Sequence, residues 1–294
     1  MTLYFTGASG QVGRAMAALF PHAVGLTRRD VDLAGDAVDL LSFFPTPPPP
    51  HSVLINLAAY TAVDDAKAQE NRELVHRINA IAPGELARQS QELGMAMIQV
   101  STEYVLSGRR EKGQCNRTTE TPAPLSYYGQ SKWEGEQAAL AYGAHVVRTS
   151  WVYTGPRNSG RDFVKTMADL AGRGIDPNVV NDQWGRPTYA PHLAGGLGEM
   201  ARALAGQHEA VVPADIPQVL HCAGSGEPIT WYELATASFA AAGYDSQRVT
   251  GIPTSEYPTP AKRPLNAALC VDEWERLGLA PLPAWQAGLA KAMQ

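Results

Sequence analysis

The stretch Leu3-Tyr4-Phe5-Thr6-Gly7-Ala8-Ser9-Gly10-Gln11-Val12-Gly13 decides the fold. Leu3 to Phe5 read as a short apolar strand that runs straight into a glycine turn, and beyond it Ala15, Met16, Leu19 and Phe20 recur at helical spacing. Glycines there let a pyrophosphate lie against the backbone, while the unpaired amides and the dipole of the helix N-terminus attract its charge. The Gly7-x-x-Gly10-x-x-Gly13 spacing differs from the usual dinucleotide fingerprint. The position of the turn, between a strand and a helix, therefore carries the reading of nucleotide binding over a plain turn.

Working outward, Ala23 to Leu26 form a second strand that ends at Thr27-Arg28-Arg29. A carboxylate directly at that strand end would bind the ribose 2′-hydroxyl of NAD, whereas arginines suit a 2′-phosphate. NADPH is expected on this ground, with NADH as an accepted second and solvated surface arginines as the alternative reading of Arg28 and Arg29. Asp32 and Leu33 follow with the polar group and apolar neighbour that an adenine needs. Pro45 and Pro47 to Pro50 then rule out a helix or central strand, leaving an exposed extended loop. Val53 to Ile55 are the third strand, leading to the small residues Ala58 and Ala59 at a strand end. Residues 70 to 93 have helical spacing, broken or bent around Pro83-Gly84. Met97 to Val100 form a fourth strand that delivers Ser101-Thr102-Glu103-Tyr104, and Val146 to Tyr153 read as a fifth. Hydroxyls at such strand ends point into a ligand crevice, so Ser101 or Thr102 can bind a substrate carbonyl. Five strands alternating with helices predict an α/β fold with a doubly wound parallel sheet, Rossmann-like.

The chemistry is read from Ser126-Tyr127-Tyr128-Gly129-Gln130-Ser131-Lys132. Positions four apart share a helix face, so the Tyr128 phenol and the Lys132 ammonium can converge. A nearby cation lowers a phenol's pKa and would make Tyr128 a general acid. The bland reading is an amphipathic helix with a surface tyrosine and lysine.

Composition bounds the rest. The 294 residues, 45% apolar and 18% charged, can bury a large core. A net charge of −5 argues against non-specific attraction to nucleic acid or an anionic membrane, and no apolar run is long enough to span one. The three cysteines, Cys115, Cys222 and Cys270, are odd in number and widely spaced, which predicts a reduced, cytoplasmic protein without structural zinc. With no secretory signal read, the acceptor pattern Asn116-Arg117-Thr118 is taken as accidental.

Several narrower segments carry a resemblance. They are Asn56-Leu57-Ala58-Ala59-Tyr60-Thr61-Ala62-Val63-Asp64, Ser101-Thr102-Glu103-Tyr104-Val105, Arg148-Thr149-Ser150-Trp151-Val152-Tyr153, Asp182-Gln183-Trp184-Gly185-Arg186-Pro187-Thr188 and Arg263-Pro264-Leu265-Asn266. With the glycine turn and the Tyr128/Lys132 pair, the chain from residue 2 onward resembles the dTDP-4-dehydrorhamnose reductase family of extended short-chain dehydrogenases. The resemblance implies NADPH-dependent reduction of the 4-keto group of a dTDP-linked 6-deoxysugar to give dTDP-L-rhamnose. It implies Thr102, Tyr128 and Lys132 as the catalytic group, with Thr102 polarising the ketone, Tyr128 protonating it and Lys132 acidifying the phenol and binding the nicotinamide ribose. Gly7, Gly10, Gln11, Val12 and Gly13 would meet the pyrophosphate, Arg28, Asp32 and Leu33 the adenosine end, and Ala58, Ala59 and Tyr60 the cofactor's adenosine side. Thr102, Glu103, Trp151 and Arg263 would meet the substrate, Trp151 packing on the sugar and Arg263 on the diphosphate. An ordinary core tryptophan and a surface salt bridge are the respective alternatives.

Three departures qualify the resemblance. Glu103 stands where the family usually has Asp, which changes the contact to the sugar. Asp162 stands where the family usually has Asn and would bring a negative charge towards a diphosphate unless it turns away. Ala15 replaces the Glu with which some relatives bind magnesium at a dimer contact, so no metal is expected and monomer or homodimer stays open. Residues 1–153 are expected as the dinucleotide-binding domain, with segments around 178–222 returning to it. Residues 154–294 would be mainly a smaller C-terminal α/β substrate lobe, interleaved in sequence, with a helix near Phe163, Met167 and Leu170 and another capped by Thr230 that reaches Gly243. Two further functions stay open: a non-catalytic NADP-binding regulatory subunit of the methionine adenosyltransferase type, and a reductase giving the C4 epimer.

Overall fold

The computed structural model describes residues 1–157 and 160–294. Along the chain the first half holds β1 (Leu3–Phe5), α1 (Gln11–Leu19), β2 (Val24–Gly25), β3 (Val53–Asn56), α2 (Arg72–His76), α3 (Ala82–Glu92), β4 (Ala96–Thr102), α4 (Tyr127–Leu140) and β5 (His145–Thr149). The second half holds β6 (Val152–Tyr153), α5 (Phe163–Gly172), β7 (Asn178–Val180), β8 (Trp184–Gly185), β9 (Thr188–Tyr189), α6 (Ala190–Leu204), β10 (Val219–His221), β11 (Ile229–Thr230), α7 (Trp231–Ala241), β12 (Thr250–Ile252), α8 (Asp272–Arg276) and α9 (Trp285–Met293).

A six-stranded sheet in the order β10-β5-β4-β3-β1-β2, parallel at every pairing, forms the centre. Its strands are apolar on both faces because both faces are covered. Leu3, Phe5, Val53, Ile55, Ile98 and Val147 face one layer, where Met16 of α1 and Leu193 and Leu197 of α6 complete a core. Tyr4, Leu54 and Met97, at the alternate positions, face Leu86 of α3 and Ala139 of α4. Helices approach closely where side chains are missing: a Cβ on Gly135 of α4 would lie 2.0 Å from the Asn79 carbonyl oxygen. The strand order reverses at β1, with β2 on one side and β3 on the other, which opens a crevice above the strand ends.

The α/β, doubly wound reading holds, with two corrections. The stretch 146 to 153 is not one strand: β5 ends at Thr149, Trp151 takes φ +45°, and β6 leaves to pair with β9. The sixth strand, β10, was not read, because three residues carry too little pattern to register. The helix over 70 to 93 bends before Pro83, in a π-helical turn at Arg77–Ile81, and Pro83 itself sits in the first turn of α3, where its missing N–H is harmless. Residues 45 to 50 form the expected loop.

The smaller layers gather β7 with β12, β8 with β11, and helices α5 and α7 around Phe239, Met167 and Ala235. Thr230 caps α7 in a capping box with Glu233, and Gly243 follows the helix at φ +83°. The cysteine reading is also corrected: Cys115 and Cys270 are disulfide-bonded across a separation of 155 residues, and only Cys222 is free and buried among the described residues. The Asn116 amide donates to the Ala268 carbonyl and the Cys270 amide donates to the Asn116 carbonyl, a backbone pairing that brings the sulfurs together. Wide spacing in sequence gave no hint of it. Among the described residues no helix is long and apolar enough to cross a membrane.

Candidate active site

At the carboxyl ends of the sheet strands lies a cleft of about 800 Å³. Its floor begins with the glycine turn. Gly7 has φ +67°, and a Cβ there would lie 2.9 Å from the Ala58 amide nitrogen. A Cβ on Gly13 would lie 2.2 Å from the Gly7 carbonyl oxygen, so the turn closes only with glycine at that position. No side chain caps the N-terminus of α1 at Gly10, whose neighbours Gln11 and Val12 line the cleft with it. Beneath, Thr6 donates to Asn56 at 2.5 Å and Asn56 donates to Gln99 at 2.7 Å, joining the ends of β1, β3 and β4. This buried staple was not foreseen; its polar residues sit inside apolar strand patterns.

Further along the cleft, Arg28, Asp32, Leu33, Ala58 and Ala59 line the wall, whereas Tyr60 is not among the lining residues. Arg28 and Asp32 pair with each other at 3.1 Å on the surface. Asp30, whose carboxylate accepts from both the amide and the hydroxyl of Thr27, is held below the usual carboxylate range by those bonds.

Ser126 caps α4 by accepting from the Gly129 amide, which sets Tyr128 in the first turn. A Cβ on Gly129 would lie 2.2 Å from the Tyr104 carbonyl oxygen, so α4 starts against the turn that follows β4. Thr102, Glu103, Tyr128 and Lys132 come together on the cleft. Thr102 donates to Glu103 Oε2 at 2.8 Å and accepts from the Tyr104 amide at 3.3 Å, with Tyr128 lining the same cleft. The expected acidification of Tyr128 by Lys132 is not what the geometry gives. Burial, and then the Glu103 carboxylate, raise the phenol above its ordinary value. The Lys132 ammonium instead donates to the Val100 carbonyl at 2.8 Å, and burial brings it down to about 8, against the opposing pull of Glu136 one turn on. Glu136 in turn lies in a buried bidentate pair with Arg148 of β5. Burial pushes the Glu103 carboxyl up to about 7.

The far wall is aromatic. Trp151 stacks on Trp231 with ring centroids 3.6 Å apart and planes 12° apart, and Phe163 lies 4.6 Å from Trp231. Gly185 leaves room for the Trp151 indole, which would lie 2.3 Å from an added Cβ. Both tryptophans line the cleft. Trp231 was missed because its stretch reads as a helix start.

Arg263 is not among the lining residues. Its guanidinium makes a bidentate pair with Asp64 and donates to the Ala261 carbonyl. Asp162 turns away from the cleft: one carboxylate oxygen caps α5 at the Lys165 amide, and the other accepts from Thr154 and from the Gly155 amide. The departure from Asn thus puts its charge into backbone donors.

The cleft suits a nicotinamide dinucleotide. The N-terminus of α1 at the glycine turn has no side-chain cap and borders the cleft, and the Ser101 and Thr149 hydroxyls, both lining it, are buried without a hydrogen-bond partner. Such orphaned hydroxyls are met by a polar ligand.

Comparison with known proteins adds to the geometry. The model of the RmlD substrate binding domain family matches residues 1–294. The dTDP-4-dehydrorhamnose reductase of Mycolicibacterium smegmatis is 36% identical, over 99% of this chain and 84% of that protein. The crystal structure of a dTDP-4-dehydrorhamnose reductase from Clostridium acetobutylicum superposes with a TM-score of 0.84 at 31% identity, covering 100% of this chain and 98% of the other. The reductase from Bacillus anthracis in complex with NADP gives 0.83 at 28% identity, covering 99% and 98%.

Proposed function

The chain belongs to the RmlD substrate-binding-domain family of dTDP-4-dehydrorhamnose reductases, and from that premise we propose that it reduces dTDP-4-dehydro-L-rhamnose to dTDP-L-rhamnose with NADPH. The observation that carries the reading is a buried phenol, its threonine partner and a buried lysine opening on one cleft with a glycine cradle.

NADPH, when bound, supplies the hydride that becomes the new C4–H bond. Gly7, Gly10, Gln11, Val12 and Gly13 hold its pyrophosphate against the backbone amides of α1. Arg28, Asp32, Leu33, Ala58 and Ala59, which line the cleft, would form the adenosine side, and Ser101, Thr149 and Lys132 would meet the nicotinamide ribose. Thr102 orients the C4 carbonyl. Tyr128 keeps its proton at neutral pH because burial raises its pKa. As the carbonyl oxygen gains charge it becomes a far stronger base than a phenolate, and the proton passes from Tyr128 to it, so that C=O ends as CH–OH. Lys132, still largely protonated at neutral pH with its pKa at about 8 and donating to the Val100 carbonyl, would hold the nicotinamide ribose as an ammonium. Glu103 and Trp151 border the sugar, and Arg263 belongs to the substrate side through Asp64 and Tyr104.

The experiment is to mix the protein, dTDP-4-dehydro-L-rhamnose and NADPH, follow the nicotinamide absorbance, and identify the product by NMR. Loss of absorbance with dTDP-L-rhamnose as product supports the reductase. The C4 epimer would change the product assignment, and tight NADPH binding with no turnover would favour a non-catalytic NADP-binding subunit.

A further inference from the structure

Thr102 carries one hydroxyl proton, and in this structure it gives that proton to Glu103 Oε2 at 2.8 Å. An ionised carboxylate can only accept, so while Glu103 is charged the Thr102 proton is committed to it, and the threonine oxygen accepts from the Tyr104 amide at 3.3 Å. Thr102 then has nothing left to donate to a ketone. We propose that Glu103 is a positioning residue whose protonated form turns Thr102 towards the substrate, so that reduction requires the neutral carboxyl. When Glu103 is protonated it donates to the Thr102 oxygen, and the threonine proton is free for the carbonyl oxygen. The proposal rests on the reductase reading and deepens it.

The surroundings favour such a switch. Glu103 is buried, lines the cleft, and has no Lys, Arg or His paired with it among the described residues. The groups that face it are phenols: Tyr104 beside it in the chain and Tyr128 from α4, whose rings meet edge to face at 5.5 Å. Lys132 is turned to the Val100 carbonyl, and Arg263, which also bears on Tyr104, is paired with Asp64 and the Ala261 carbonyl. Burial places the carboxyl at about 7, within the working range of an enzyme. Since the neutral form is the competent one, the rate falls as pH rises through that value.

The test is kcat against pH between 6 and 8, by NADPH oxidation with dTDP-4-dehydro-L-rhamnose, for the protein and for Glu103→Gln, Glu103→Asp and Thr102→Val. The unaltered protein is expected to slow about twentyfold over that interval, about tenfold from a group near 7 going from mostly protonated to mostly ionised and about twofold from Lys132 near 8. Glu103→Gln, which keeps a donor and cannot ionise, is expected to change about twofold, the part contributed by Lys132. Glu103→Asp is expected to keep the larger pH-dependent fall, and the residual rate of Thr102→Val to keep only the twofold part from Lys132. A tenfold fall retained in Glu103→Gln, or a flat profile in the unaltered protein, overturns the proposal and leaves the reductase reading standing. No turnover by the unaltered protein at any pH overturns the reductase reading itself, and this proposal with it.

Discussion

Arg148→Met tests the support behind Lys132. The Glu136 side chain is 0% exposed and that of Arg148 3%, with Nε–Oε1 at 2.9 Å and Nη2–Oε2 at 2.7 Å. Removing the guanidinium strands a carboxylate with no water to solvate it, and breaking a buried pair from one side costs about 3–5 kcal/mol. For a chain of this size that corresponds to a fall in Tm of roughly 6–10 °C. Differential scanning calorimetry or a urea transition measures it. The double variant Arg148→Met with Glu136→Leu removes both charges and is expected to recover most of the loss, since apolar replacement of a whole buried pair is often neutral or better. The double variant also takes away the carboxylate that opposes the desolvation of Lys132, so the part of the alkaline fall that Lys132 contributes is expected to move below about 8. A single variant as stable as the parent, or a double variant no more stable than the single one, would refute this account of the α4–β5 junction.

Gly13→Ala places a Cβ 2.2 Å from the Gly7 carbonyl oxygen, so NADPH binding measured by nicotinamide fluorescence is expected to weaken about tenfold or more, corresponding to at least 1.4 kcal/mol of distorted cradle. Trp231→Ala removes the stack at 3.6 Å that holds the strained Trp151, and it is expected to raise KM for the sugar nucleotide by roughly five- to thirtyfold while leaving KM for NADPH within about twofold. Cys115→Ser opens a loop of 155 residues, and chain entropy sets the loss at up to about 5 kcal/mol, visible as a lower urea midpoint that added reductant reproduces in the unaltered protein.

Much of the fold was legible because its signals are local. The strand, glycine turn and helix at residues 3 to 20, and the Thr230 cap with Glu233, are each written within a few adjacent residues. Elements set by distant partners were not. The strand at Val219–His221 exists because it pairs with β5, and the break at Trp151 exists because β6 finds β9. The site shows the same division. Helical spacing brought Tyr128 and Lys132 to one cleft, but it could not show that the lysine bonds the Val100 carbonyl or that the phenol looks to Thr102 and Glu103. Arg263, chosen for its fork of donors, turned out to be matched with Asp64, a partner 199 residues away. The Cys115–Cys270 bond and the Trp151–Trp231 stack likewise join residues that no window along the chain contains.

The central claim is that Tyr128 donates the proton that completes reduction of a nucleotide-linked ketone. Tyr128→Phe removes one hydroxyl from a site that keeps its glycine cradle and Lys132, so NADPH binding should survive. The deciding measurement is NADPH oxidation by this variant with dTDP-4-dehydro-L-rhamnose at neutral pH. A fall in kcat of about a hundredfold or more, with NADPH affinity kept within about twofold, is the predicted result. Turnover at the rate of the unaltered protein would contradict it.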